Sequence, residues 1–241
     1  MSPATHFIAP PAQAELTGPA LCALCAEQGG CCCATDPAMG HLSFPLSGAE
    51  WARLTPWRAL ATESADFDDQ ALALAEERAG ALAATLDSDA LDPANLDAAD
   101  LDAAGPAPSA PEAGDDCCQP WPNSQEFITS MKALFPREKN RIEQLFPPGK
   151  KHLSLRLRAD GACVFLGGDG CRLPRPARPW YCRLFPAWMT GLGPSLFTAK
   201  GCLIAERAQN PAHGIRLMAA DPDELRAIFA RLRRDWGLEN E

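Results

Sequence analysis

Cysteine is the residue type most able to do chemistry in this chain, because eleven of its 241 residues are cysteines and most fall into two sets. The first set lies near the N-terminus and the second follows after a long interval: Cys22, Cys25, Cys31, Cys32 and Cys33, then Cys163, Cys171, Cys182 and Cys202. Clustered cysteines form a disulfide scaffold, a redox relay or a set of thiolate ligands for a soft or borderline metal. This pattern favours thiolate ligands.

The N-terminal sequence argues against a disulfide scaffold. Residues 1–22 contain neither a basic region nor a continuous apolar run, so we expect no secretory signal. No run in the sequence approaches the roughly 20 apolar residues that span a bilayer. We therefore expect a cytoplasmic protein, in a compartment where thiols stay reduced, and no membrane association. The odd number of cysteines also does not fit complete pairing.

The close spacing within the first set suits metal ligation. Only two residues separate Cys22 from Cys25, so one tight turn of the chain could aim two thiolates at the same point. Cys31 and Cys32 follow two glycines, which are flexible enough to return them to the same region. Zinc takes four such ligands, and iron–sulfur clusters are commonly held by four thiolates. Together with the later set, eight candidate ligands could fill two four-thiolate sites, or one site with spare cysteines.

Acidic residues are concentrated in one segment. Residues 61–118 hold fifteen Asp and Glu against the single base Arg78, a net charge of −14, whereas the rest of the chain carries +5. The segment has too few large apolar groups to offset chain entropy, although residues 70–86 could form an Ala-rich helix. We therefore predict a single cysteine-cluster domain made of residues 1–60 and 119–241. It is interrupted by a largely disordered acidic insert at 61–118, which ends in the vicinal pair Cys117-Cys118.

Helical periodicity and capping residues mark several elements outside the insert. Ser47, Ser124 and Asp221 are predicted helix caps, and a further helix is expected between Pro136 and the stop at residues 147–149. The apolar faces of these helices are the predicted core: Trp51, Leu54, Phe127, Ile128, Met131, Leu134, Phe135, Ile142, Leu145, Phe146, Leu225, Ile228, Phe229, Leu232 and Trp236.

The clearest strand signal lies at residues 153–158, where leucine alternates with polar residues. A turn at 160–161 predicts that residues 162–166, which include Cys163, return as a hairpin partner. The glycines that follow at 167–170 would let the backbone bend tightly around a ligand group. These elements predict an α+β fold, a small irregular metal-stabilised domain of short helices with a β-hairpin.

Residues around the later cysteines resemble a known family. Cys163-Val-Phe-Leu, Gly170-Cys171 and the stretch RPWYCRLFP at residues 178–186 are similar to the signature of the YkgJ-type cysteine-cluster family. Its members are described as zinc- or iron-chelating domains with an N-terminal CxxCxxCC motif and a later RPxxCRxFP motif. The resemblance covers residues 20–55 and 150–205. This chain departs from it in having five residues, instead of two, between its second and third cysteines, and in the long acidic insert.

The resemblance implies a zinc or iron–sulfur centre, and it nominates eight ligands: Cys22, Cys25, Cys31, Cys32, Cys163, Cys171, Cys182 and Cys202. Among the three consecutive cysteines it favours Cys31 and Cys32 and leaves Cys33 as the spare, with Cys32 and Cys33 as the alternative pair. The number of centres stays open.

Arginines crowd the last part of the motif, at positions 172, 175, 178 and 183. A four-thiolate centre around zinc or a cubane cluster is doubly negative, so it needs compensating cations if it is partly buried. Arg178 and Arg183 are the predicted cofactor-binding residues for this reason.

Three classes of function follow. The leading one is a metal-binding protein that chelates zinc or an iron–sulfur cluster through clustered thiolates. The alternatives are a protein-modifying enzyme, because flagellin lysine-N-methylase carries a related cysteine cluster, and a thiol-based redox sensor. We find no nucleotide or methyl-donor fingerprint, and no element combines bases with interleaved aromatics as nucleic-acid binding requires. The expected partner is the metal ion or cluster, and the sequence identifies no protein partner.

Overall fold

The computed structural model describes residues 16–28, 44–61, 73–78, 117–198 and 201–238. Short helices and small antiparallel strand pairs alternate along these residues, which confirms the α+β class. The helices are α1 (Gly18–Glu27), α2 (Gly48–Leu54), α3 (residues 73–78), α4 (Gln125–Leu134), α5 (Lys139–Leu145), α6 (Trp180–Leu184), α7 (Leu203–Arg207), α8 (Pro211–Leu217) and α9 (Pro222–Asp235), with 3-10 segments at Thr55–Leu60 and Arg175–Ala177.

In the part of the chain that the structure describes, the strands form three antiparallel pairs: β1 with β2, β3 with β4 and β5 with β6. They are β1 (Cys118–Pro122), β2 (Lys151–Leu155), β3 (Leu166–Gly167), β4 (Gly170–Cys171), β5 (Ala187–Thr190) and β6 (Gly193–Leu196). Among the described residues, no helix has both the length and the apolar character needed to cross a bilayer.

The predicted caps begin three of the helices. Glu50 N donates to Ser47 Oγ (3.1 Å) and Ser47 N donates to Glu50 Oε2 (2.9 Å), so α2 starts with a reciprocal capping box. The side chains of Ser124 and Asp221 likewise accept hydrogen bonds from main-chain N–H groups in the first turns of α4 and α9. These bonds satisfy N–H groups that have no partner inside the helix, which is why local sequence could predict them.

The strand predicted at residues 153–158 has a different main partner from the one expected. β2 pairs along its whole length with β1. The expected partner, residues 162–166, forms a shorter hairpin with the bridge between Leu157 and Cys163 and a turn closed by Arg158 N and Ala162 O at 2.7 Å. The turn was therefore predicted correctly and the principal pairing was not, because β1 lies on the far side of two helices in sequence.

The buried side of β2 also differs from the sequence prediction. His152 and Ser154 are buried, whereas the leucines at 153 and 155 are half-buried against the second of two apolar clusters. His152 Nδ1 lies 2.8 Å from Asn123 Oδ1, and its ring stacks on Phe127 with centroids 4.2 Å apart. A buried polar side chain needs a hydrogen-bond partner, and Asn123 is that partner for His152. The alternation of apolar and polar residues along the strand does not reveal such a partner.

The buried apolar residues in the described ranges form two clusters. The first contains the predicted faces of α4, α5 and α9, with Met131, Ile142 and Leu225 fully buried. The second is built around Leu54 of α2 and Phe165 of the segment before β3. Helix α6 packs against α9, and α1 packs against β4 and α7, so elements far apart in sequence are in contact.

The predicted acidic insert is described only in part. Residues 73–78 are helical, and Ala75 is fully buried in the second cluster. Cys117 and Cys118 are also buried, and Cys118 begins β1. The remaining residues from 62 to 116, and with them the prediction of disorder, lie outside the described residues.

Candidate functional site

A cavity of about 170 Å³ opens between α1, β4, α6 and α7. Six of the eight predicted ligand cysteines line it, and they come from five separate parts of the chain: Cys22, Cys25, Cys163, Cys171, Cys182 and Cys202. The rest of the wall is largely apolar, and Met218 adds a thioether. Among the described residues that line the cavity, none is His, Asp or Glu. Most of the side chains in this wall that could ligate a metal are therefore sulfur donors, with the hydroxyl groups of Ser154 and Tyr181 as the exceptions.

Cys22 and Cys25 reach the cavity from a helix, not from the tight turn expected from their spacing. Residues three apart lie on the same face of a helix, so α1 presents both thiols to the same side. Leu21, only 1% exposed, anchors α1 in the first apolar cluster. The Sγ atom of Cys25 lies 3.7 Å from the carbonyl oxygen of Gly201, the residue that precedes Cys202 in the chain.

Cys171 is brought to α1 by the glycine-rich turn between β3 and β4. Leu166 pairs with Cys171 and Gly167 with Gly170, so the glycines form a hairpin, which is more regular than the bend expected around a ligand group. Gly170 has a φ of +105°, which favours glycine, and it lies against the main chain of α1. Cys163 enters the cavity from the bridge opposite Leu157.

Cys182 and Cys202 complete the described wall from two short helices. Cys182 lies in α6, and Cys202 directly precedes α7 as its N-cap residue, where its carbonyl accepts the Glu206 N–H at 2.9 Å. Cys202 and Cys163 are 4% and 7% exposed, whereas the thiols from α1, β4 and α6 are half-buried. One side of the cysteine set is therefore shielded by protein and the other lies nearer to solvent.

The described cysteines face a common space without forming a closed coordination site. Within the described ranges, no three His, Cys, Asp or Glu side chains are arranged so that they could hold one metal ion. Cys31, Cys32 and Cys33 lie outside the described residues. Ala26 and Phe44, on either side of that part of the chain, both line the cavity.

The two predicted cofactor-binding arginines have different surroundings. Arg178 lines the cavity, and it donates to the carbonyl oxygens of Leu173 (2.8 Å) and Cys171 (3.4 Å), so it also ties down the chain around Cys171. Arg183 is not among the residues that line the cavity. Its Nη2 donates to Glu224 Oε1 (3.2 Å), and burial lowers its pKa while Glu224 acts in the opposite direction.

Arg175 is a site residue to which sequence reasoning gave less weight than it gave to Arg178 and Arg183. It lines the cavity, and its Nε lies 3.5 Å from the Glu224 oxygen that also binds Arg183. Its Nη2 is buried and has no hydrogen-bond partner among the described residues. The spacing of positions 172, 175, 178 and 183 did not distinguish them, because only the three-dimensional arrangement shows that Arg175 and Arg178 line the cavity.

Cys117 and Cys118 lie apart from the cavity wall. Their sulfur atoms are 3.4 Å apart, well beyond the ~2.05 Å of a disulfide bond. Both are buried in the second apolar cluster, and Cys118 pairs with Leu155 in the β1–β2 ladder. Their position indicates a core packing role for this vicinal pair.

Comparison of the chain with models of protein families, with curated proteins and with solved structures gives no match.

Proposed function

We propose that this protein binds zinc or an iron–sulfur cluster through the thiolates that line the cavity. The observation that carries the proposal is the convergence of six cysteines from five parts of the chain on one space. Cysteine is a rare residue, and a cavity lined by six thiols and no described His, Asp or Glu has the donor set that thiophilic metals prefer. Calcium and magnesium require oxygen donors, which this wall does not supply in number.

The residues that would hold the centre are drawn from Cys22, Cys25, Cys163, Cys171, Cys182 and Cys202. Cys31 and Cys32 belong to the same proposal through the resemblance to the YkgJ-type family, and membership of that family is itself proposed. When bound, zinc would serve as a structural cross-link, and an iron–sulfur cluster would add one-electron redox chemistry. The protein's own contribution is to bring distant segments together, to shield one side of the site and to offset negative charge.

The arginines in the cavity wall would offset the charge of a doubly negative metal centre. Arg175 and Arg178 both line the cavity and bring guanidinium groups to it. A buried thiolate set without such cations would be expensive to form. Thiolate ligands also require a reducing compartment, so we infer that the protein works in the cytoplasm.

The test is metal analysis of full-length protein purified without oxygen, together with its visible absorption spectrum. We expect near-stoichiometric zinc with a featureless spectrum, or iron and sulfide with a broad charge-transfer band near the visible edge. Folded protein that is free of zinc and iron, and that does not take up either one, would contradict the proposal. In that case the modifying-enzyme and redox-sensor alternatives would be the next to examine.

A further inference from the structure

The Glu50 carboxylate caps two helices at once. It is 2% exposed, and its Oε2 accepts the Ser47 N–H in the capping box of α2. The capping box uses one oxygen. The other, Oε1, accepts the main-chain N–H of Trp180 at 2.7 Å. Trp180 is the first residue of α6, and the N-cap residue of that helix, Pro179, supplies no side-chain bond of its own. Glu50 therefore provides, from a distant helix, the acceptor that α6 lacks locally.

Trp180 is held from three further directions. Its indole Nε1 donates to Asp235 Oδ2 at 2.7 Å, which ties it to the end of α9. The guanidinium groups of Arg53 and Arg183 lie 3.9 Å and 5.1 Å from the ring centroid, within the range of cation–π attraction. A tryptophan fixed through its main chain, its indole nitrogen and its ring cannot rotate without losing several of these contacts.

The position of Trp180 determines where the nearby cysteine points. Cys182 follows two residues later, and at 3.6 residues per turn its side chain is rotated by about 200° from that of Trp180. The two side chains accordingly face opposite sides of α6: the Trp180 indole lies toward Asp235 and Arg53, and Cys182 lines the cavity. Helix α6 is five residues long, so it has little internal hydrogen bonding to hold this orientation by itself.

We propose that Glu50 is a positioning residue for Cys182, acting through the main chain of Trp180. The importance of this role for metal binding rests on the proposed function, but the geometric role does not. Glu50 sits in α2, before the predicted acidic insert, and Cys182 lies after it. One buried carboxylate thus links the N-terminal part of the fold to the orientation of a cavity cysteine.

The test compares Glu50→Gln with the parent chain in full-length, anaerobically purified protein. Glutamine keeps the volume but offers a single acceptor oxygen, so one of the two main-chain N–H groups loses its bond. We expect alkylation of Cys182 by iodoacetamide, read by peptide mass spectrometry relative to Cys22, to speed up by about fivefold, the factor that one lost hydrogen bond supplies. Bound metal should also pass to a chelator faster.

Ser124→Ala is the matched control, because it removes a helix cap from α4, which does not line the cavity. It should lower stability without changing the Cys182 to Cys22 ratio. A folded Glu50→Gln protein with an unchanged ratio would overturn the proposal. If Glu50→Gln fails to fold, Glu50→Asp replaces it, because we expect the shorter side chain to reach Ser47 or Trp180 but not both. An unchanged ratio of Cys182 to Cys22 alkylation in folded Glu50→Asp would also overturn the proposal.

The two proposals can fail separately. If the parent protein holds no metal but the Cys182 ratio responds to Glu50→Gln, the metal proposal fails and the positioning role stands. If the parent protein holds metal and the ratio does not respond in folded Glu50→Gln, the positioning role fails and the metal proposal stands.

Discussion

Gly170 of β4 lies directly against the main chain of Cys22 in α1. A Cβ atom placed on Gly170 would lie 3.8 Å from both the carbonyl carbon and the carbonyl oxygen of Cys22. The φ of +105° at Gly170 is one that side-chain-bearing residues rarely adopt. The contact joins α1 to the strand that contains Cys171, which is more than a hundred residues later in sequence than Cys22.

Gly170→Ala should therefore weaken both the fold and the site. The strained φ should cost about 1–3 kcal/mol in the free energy of unfolding. Relief of that strain would move β4 away from α1, so metal content per protein should also fall. Gly168→Ala is the control, because a Cβ there meets nothing within 4 Å and its φ is not positive. Urea denaturation and metal analysis of both variants provide the measurement; equal stability of the two would show that the contact is unimportant.

Cys25→Ser and Cys182→Ser should each lose metal and melt well below the parent protein. Metal binding to such a site is also folding free energy, and a loss of about 3 kcal/mol lowers the melting temperature of a chain of this size by roughly 10 °C. Cys33→Ser should change neither quantity.

Cys117→Ser separates metal loss from simple destabilisation. Cys117 is fully buried in the second cluster and is not among the residues that line the cavity. We expect this variant to melt earlier and yet to retain its metal. Full metal content and unchanged melting in Cys182→Ser, with loss of both in Cys33→Ser, would show that the ligand assignment is wrong.

Deletion of residues 65–114 should leave metal content intact at a small cost in stability. Leu60 and Cys117, which flank the deleted segment in the sequence, belong to the same apolar cluster, so a short linker can join the two parts of the chain. The cost arises because Ala75 is fully buried in that cluster, and we expect it to be about 1 kcal/mol for one small apolar side chain. Thermal melting and metal analysis test this. Loss of metal would place part of the insert in the site.

Stability should depend on pH through Glu50. Burial raises the pKa of Glu50 above its ordinary value of 4.5, although hydrogen bonds from the main chain of Ser47 and Trp180 and the charge of Arg53 oppose the shift. A raised pKa means that the folded state binds the proton more tightly than the unfolded state. This contribution to stability is fully present below pH 4.5 and is lost as the pH rises through the raised value.

Glu50→Gln removes this titration, so the difference in unfolding free energy between the parent protein and the variant isolates it. The parent's advantage should be largest at acidic pH and should shrink toward neutral pH. Urea denaturation of both proteins between about pH 4.5 and 7.5, in the same metal-loading state, measures the difference. A stability advantage of the parent protein over Glu50→Gln that grows with pH would contradict the upward shift in the pKa of Glu50.

Local sequence was sufficient to predict the features that depend on local physics. Ser47, Ser124 and Asp221 were identified as caps because an N-cap side chain bonds to N–H groups a few residues away. The buried faces of α4, α5 and α9 followed from the 3.6-residue period. The turn at 160–161 likewise needs only neighbouring residues.

Tertiary structure decided everything that depends on contacts distant in sequence. The pairing of β2 with β1, the burial of His152 and the helical setting of Cys22 and Cys25 required partners that no local pattern specifies. Cysteine spacing alone nominated a group of thiols, but it could not tell that six of them line one cavity while Cys118 packs in a core. Nor could it show that Arg175 lines the cavity and Arg183 does not, although both lie beside Glu224, because the elements packed around each side chain decide its position.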